Sequence, residues 1–92
     1  MIKSFHCKDT LALFEDRNPR RFQAVVTIAE RKPHMLDNAF SIEDLRVPPG
    51  NRLEALHGDR KGQWSIRIND KWRVCFRFKD GNAFDVEIID YH

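Results

Sequence analysis

Only two cysteines occur in the 92 residues. Cys7 and Cys75 stand too far apart for a C-x-x-C or zinc-ribbon spacing. They read as reduced thiols that pack, since cytosolic proteins rarely carry structural disulfides. The four histidines, His6, His34, His57 and His92, show no H-x-x-x-H or other ligand spacing. No metal and no cofactor is therefore expected. No apolar run approaches the ~20 residues that cross a bilayer. The opening Met-Ile-Lys-Ser-Phe-His-Cys-Lys-Asp also lacks the apolar stretch and small-residue cleavage site of a signal peptide. These absences predict a cytoplasmic protein with no membrane partner. Repeats, low-complexity tracts and linkers are missing as well, which leaves one domain over residues 1–92.

What is present begins with charge. The apolar share of 41% and charged share of 33% are ordinary for a globular chain and argue against global disorder. The net charge is only +2, but it is unevenly spread. Residues 51–79 hold eight Lys and Arg against three acids, a net +5, whereas residues 80–92 hold four acids and no Lys or Arg, a net −4. A basic stretch favours a polyanion such as nucleic acid. The opposing reading is that these charges pair across neighbouring strands.

The chain divides into a helical first half and a strand-rich second half, the α+β pattern. Ile2 to His6 is compatible with a short strand, and Asp9 or Thr10 can cap a short helix through Leu11, Leu13 and Phe14. Asn18-Pro19 is a stronger helix start, followed at helical spacing by Phe22, Val25, Val26, Ile28 and Ala29. Pro33 must kink or restart that helix before Met35 and Leu36. Val47-Pro-Pro-Gly50 is a stiff connector.

Beyond it, Arg52 to Leu56 is a weak strand and three clearer ones follow. Trp64, Ile66 and Ile68 alternate with polar residues, as do Trp72, Val74, Phe76 and Phe78, and then Phe84, Val86 and Ile88. Period two with one apolar face predicts an antiparallel sheet covered by helices on that face and polar on the other. To set Trp72, Val74 and Phe76 opposite Ile68, Ile66 and Trp64, the first hairpin needs the three-residue loop Asn69-Asp70-Lys71. In the second hairpin, pairing Phe78 with Phe84 puts Val74 by Ile88 and Trp72 by Asp90, with a loop holding Asp80-Gly81-Asn82. On the polar face this register sets Arg77 by Asp85, Cys75 by Glu87 and Lys71 by Tyr91. Tyr91 and His92 then gather near Lys71 and Arg73.

Those residues suit one chemistry. Cleaving RNA by attack of its own 2′-hydroxyl needs a base, a cation for the phosphorane and an acid for the departing 5′ oxygen. His57 and His92 are the candidates for proton transfer, and Arg73 for the phosphate. Arg60, Lys61, Lys71 and Arg67 are the candidates for binding RNA backbone. Tyr91 can stack on a base or share in proton transfer, and Asp90 can orient a neighbour. Each has a bland counterpart: Arg73 as a cross-strand ion-pair partner, His57 as a solvated loop residue, His92 as a frayed terminus. Trp64 and Trp72 read as core.

The run from Asn51 to Phe76, together with Met1-Ile-Lys-Ser-Phe and Asp90-Tyr-His92, resembles the HigB toxins of the RelE superfamily. The specific pieces are G-D-R-x-G-x-W-S-I, the W-R-V-x-F strand and the terminal triplet, and the likeness runs over essentially the whole chain. The resemblance implies a RelE-like α+β fold, two N-terminal helices packed on a mainly antiparallel twisted sheet. It implies a toxin of a type II toxin–antitoxin module that cuts mRNA in the ribosomal A site without a metal. The implied partners are a HigA-like helix-turn-helix antitoxin, the ribosome and its mRNA, with operator DNA bound only through the antitoxin. Carried over by position, Arg73 matches the family's phosphate-side arginine, and Asp90, Tyr91 and His92 its functional triplet.

Two positions depart from the pattern. In some members Glu54 is a histidine and His57 a lysine. An ionised Glu54 cannot donate a proton and would repel phosphate if it faced the site, whereas His57 can substitute as an active-site residue. Two alternatives keep the fold: a ParE-like gyrase inhibitor, and an RNA- or protein-binding module with a weakened nuclease site.

Overall fold

The computed structural model describes residues 1–15, 32, 34–47, 49–69 and 71–90. Four strands form one sheet in the order β1-β2-β3-β4, every neighbour antiparallel: β1 (Glu54–Ala55), β2 (Trp64–Arg67), β3 (Trp72–Lys79) and β4 (Asn82–Asp90). The first of these is shorter than the Arg52 to Leu56 expected.

The first hairpin has the expected register, Trp64 opposite Phe76 and Ile66 opposite Val74. Its loop is closed by Asn69, whose Oδ1 accepts the Lys71 and Trp72 amides at 2.9 Å each. The second hairpin follows the expected register only at its open end, where Trp72 faces Asp90 and Val74 faces Ile88. Nearer the turn, Phe78 faces Ala83 and Arg77 faces Phe84, one residue out of the expected step. The turn explains the change. Asp80 and Gly81 both have positive φ, 52° and 79°, the conformation of a two-residue type I′ turn whose twist matches the strands. A Cβ on Gly81 would also lie 3.2 Å from the Phe40 carbonyl oxygen. Asp85, at φ 54°, takes up the extra residue as a bulge, and its amide donates to Ser4 Oγ at 2.8 Å.

The N-terminal residues lie along the outer edge of β4 as two isolated parallel bridges, Ile2 to Ala83 and Phe5 to Val86, rather than as a full strand. Backbone bonds from Lys3 to Ala83, Ala83 to Met1, Val86 to Ser4 and His6 to Val86 shield an otherwise open edge. Farther along, the buried Thr10 hydroxyl accepts the Ile88 amide at 3.0 Å.

That bond corrects the expected cap. Helix α1 (Lys8–Phe14) starts at Cys7, which is extended and makes no side-chain cap bond. Thr10 sits inside the helix because a β4 amide taken from water needs an acceptor. The helix expected from Asn18-Pro19, with Phe22, Val25, Val26, Ile28 and Ala29, lies outside the described residues, as does Pro33. Residues 34–38 are helical, and a 3₁₀ turn, Ile42–Arg46, is closed by a Ser41–Asp44 capping box.

The core lies between these segments and one sheet face. Leu13, Leu36 and Leu45 meet Ile66, Val74, Phe76, Val86 and Ile88, all fully buried. Asn51 is buried among them. Its Nδ2 donates to the Leu45 carbonyl at 3.1 Å, and its Oδ1 accepts from Lys32 Nζ, so the short Pro49–Asn51 turn is anchored by a satisfied polar group. No helix among the described residues is long and apolar enough to cross a membrane.

Candidate functional site

The opposite face of the sheet is polar, and strand pairing fixes its rows. Glu54, Ser65, Cys75 and Glu87 form one row across the four strands; Arg67, Arg73 and Ile89 form the next. Arg73 is the best-held cation there. Its Nε donates to Ser65 Oγ at 2.9 Å and its Nη2 to the Arg52 carbonyl oxygen at 2.8 Å. Glu54 Oε1 stands 3.8 Å from the same Nη2. The Arg73 side chain is only 11% exposed, so the guanidinium is fixed in direction as well as charged. Arg52 reaches it from a left-handed backbone conformation, φ 46°, which side-chain-bearing residues rarely adopt.

Arg60 meets the first of these rows from a loop. It closes the 3₁₀ turn Gly58–Arg60, donates to Gln63 Oε1 at 3.0 Å, and pairs with Glu87 Oε1 at 3.1 Å. His6 lies on the far side of Glu87 at 3.9 Å. His6, Asp59, Arg60, Gln63, Asp85 and Glu87 line a polar cavity of about 390 Å³.

Cys75 is buried at the centre, with Arg60, Glu87, Arg73 and Glu54 all near enough to act on it. Burial pushes its thiol up from 9.0 to about 11; the two carboxylates push the same way and the two arginines oppose them. The folded chain therefore holds this proton more tightly than the unfolded chain does. That stabilisation is complete below pH 9 and is lost as pH rises towards about 11. Denaturant midpoints should fall over that window, and Cys75→Ala should flatten the fall. An equal slope in both proteins would contradict the assignment.

The expected site residues are not all brought together. Asp90 ends β4 opposite Trp72, one residue before Arg73, and is exposed. Lys71 joins it from the hairpin loop, 3.8 Å from Asp90 Oδ2 and 5.3 Å above the Trp72 ring. Tyr91 and His92 lie outside the described residues. Arg67 faces Arg73 across the β2–β3 pair. His57 and Lys61 are exposed and flank the Gly58–Arg60 turn at the other end of β2. The amide of Leu56 closes that loop on the Gln63 carbonyl. Four residues of strand, roughly 13 Å, thus separate the Leu56–Gln63 level beside His57 from the Arg67–Arg73 level, and the Arg73 guanidinium reaches back from there to Ser65 and Glu54. Among the described residues, no cluster of three or more His, Cys, Asp or Glu fits a metal ion.

Ser65, the Arg52 carbonyl and Glu87 had no place in the sequence reading of the site. Alternation marks Ser65 as outward-facing. Its pairing with Arg73 is diagonal, and Arg60 reaches Glu87 from a loop, so neither follows from strand register alone.

A family model described as the RelE-like toxin of the type II toxin–antitoxin system HigB matches residues 3–92. An Endoribonuclease HigB of Proteus vulgaris is 35% identical over an alignment of 104 positions that covers all of both chains. A Toxin HigB-1 of Vibrio cholerae serotype O1 is 49% identical over 62 residues, 67% of this chain and 64% of that one. The fold is similar to that of a YafQ mutant from E. coli, with a TM-score of 0.65, 14% identity, and coverage of 98% of this chain and 91% of that one. It is also similar to a chain of a YoeB–YefM complex from Staphylococcus aureus, with a TM-score of 0.60, 16% identity, and coverage of 100% and 98%.

Proposed function

Since this chain belongs to the HigB group of RelE-like toxins of type II toxin–antitoxin systems, we propose that it arrests growth by cutting mRNA on the ribosome. The observation that carries this reading is Arg73, a directed guanidinium on a polar sheet face, held by Ser65 and the Arg52 carbonyl. It is the group for a phosphate whose charge grows as the 2′-oxygen attacks. Asp90 ends β4 beside the start of β3, opposite Trp72.

In this mechanism the 2′-hydroxyl loses its proton to a base and attacks phosphorus. The 5′ oxygen leaves with a proton, and a 2′,3′-cyclic phosphate remains. His92 is the main proton-transfer group. Tyr91 stacks on a base or assists, Asp90 orients its neighbours, and His57 is a second imidazole; full-rate cutting by His57→Ala would remove it from the mechanism. Arg60, Lys61, Lys71 and Arg67 bind backbone. These groups cover base, acid and cation, so the reaction needs no metal.

A type II toxin has an antitoxin as its counterpart. The one proposed here is HigA-like, carries a helix-turn-helix, and is the part of the complex that binds operator DNA. The proposed location is the cytoplasm, where ribosomes are. The test is to map mRNA 5′ ends after induction. New ends within translated codons, absent with His92→Ala at equal protein level, are expected. Intact mRNA accompanied by DNA damage would overturn the reading and point to gyrase.

A further inference from the structure

Three arginines along the polar face are each met by a carboxylate of the same chain. Arg73 has Glu54 at 3.8 Å, Arg60 has Glu87 at 3.1 Å, and Arg77 has Asp85 at 3.6 Å. They form a line. Arg73, Cys75 and Arg77 succeed one another on the same side of β3, about 6.6 Å apart, and the Arg60–Glu87 pair lies at the level of Cys75. A fourth pair, Lys71–Asp90, closes the end of the sheet at 3.8 Å. The acids come from β1 and from β4 with its bulge, so the neutralisation is assembled by the fold and is not one acidic run.

Free single-stranded RNA binds through phosphates that replace small counterions on cations, and the released ions drive the association. An arginine that already holds a fixed carboxylate has little to release, and an arriving phosphate must first displace that carboxylate. RNA held by a larger body has already lost its translational freedom, so it can make this exchange where free RNA cannot. The pairs differ in how readily they yield. The Glu54 and Asp85 side chains are 51% and 50% exposed, whereas Glu87 is 18% exposed and anchors Arg60.

We propose that Glu54 and Asp85 are internal stand-ins for phosphate that keep this face from free RNA and restrict it to RNA immobilised in a larger assembly. The inference rests on the mRNA-cutting reading and assigns two residues to its choice of ribosome-bound over free RNA. It also gives Glu54 a role that its position in the pattern does not: the carboxylate sets which RNA reaches Arg73.

The test uses the purified full chain and a fluorescein-labelled single-stranded 12-nucleotide RNA, followed by anisotropy at several salt concentrations. Glu54→Gln/Asp85→Asn is expected to tighten binding about tenfold and to steepen the log–log salt slope by roughly 1.4, for two phosphates newly engaged. Glu43→Gln removes an acid paired with Arg46 in the 3₁₀ turn at 2.8 Å, and should tighten binding less than twofold. A double variant that binds no better than Glu43→Gln overturns the proposal. In cleavage assays the unaltered chain should cut ribosome-bound mRNA and spare the same mRNA when free, while the double variant gains cutting of free mRNA. Equal cutting of both by the unaltered chain overturns the proposal and leaves the nuclease reading standing. No cutting of ribosome-bound mRNA defeats the nuclease reading itself, whatever the binding comparison gives.

Discussion

Arg73→Ala should slow cleavage of ribosome-bound mRNA by about 10²–10³-fold, the usual cost of deleting one preorganised donor from a site where negative charge develops. The size of the effect follows from how the guanidinium is held. Ser65 and the Arg52 carbonyl fix its plane, so little reorganisation is needed when the phosphorane forms. Arg73→Lys separates charge from geometry. A lysine keeps the charge but is a point donor on a flexible stem, and it cannot reproduce the fork that bonds both Ser65 and Arg52. Its rate should fall between the other two. Rates are read from single-turnover cleavage of a reporter mRNA on ribosomes, with denaturation curves to show that each variant is folded. An alanine variant that cuts at an unchanged rate would remove Arg73 from the mechanism.

Phe76→Ala is expected to remove a large share of the fold's stability. The ring is fully buried at the centre of β3, opposite Trp64 and 6.4 Å from the Phe78 ring in an edge-to-face arrangement. Large-to-alanine changes at such sites cost about 3–5 kcal/mol through lost burial and the cavity left behind. A domain of this size has only about 5–15 kcal/mol in total. Toxicity should therefore fall for a reason unrelated to chemistry, and the urea midpoint should fall with it. Phe76→Leu keeps most of the volume and should retain both. A shift below about 1 kcal/mol for the alanine variant would mean that the core does not depend on this ring.

The two variants probe features of different legibility. Phe76 announces itself in sequence, because Trp72, Val74, Phe76 and Phe78 alternate with polar residues and only one face of a sheet can bury them. The first hairpin was legible for the same reason: facing apolar residues required a three-residue loop, and that loop is present. The second hairpin was legible only in part. Face matching favoured Phe78 opposite Phe84, but Asp80-Gly81 makes a tight turn, and the bulge at Asp85 absorbs the difference. Matching apolar faces assumes an unbroken pleat, and a bulge breaks it. Thr10 differs from its local pattern in a comparable way. A threonine near a helix start looks like a cap, but here its hydroxyl accepts the amide of Ile88, a residue 78 positions away.

The site divides along the same line. Motif and pattern alone determined that this is a RelE-like α+β chain, that Arg73 points to the polar face, and that β4 ends beside the start of β3. Each depends on residue order within a strand or between strands joined by a short turn. Only the tertiary structure decided that Glu54 lies against Arg73, that Arg60 reaches Glu87, and that His57 flanks the Gly58–Arg60 turn at the end of β2 away from the Arg67–Arg73 pair. Those relations join segments whose separation in space is set by packing and by backbone conformations such as the left-handed Arg52, and a periodic pattern carries no information about distance between them.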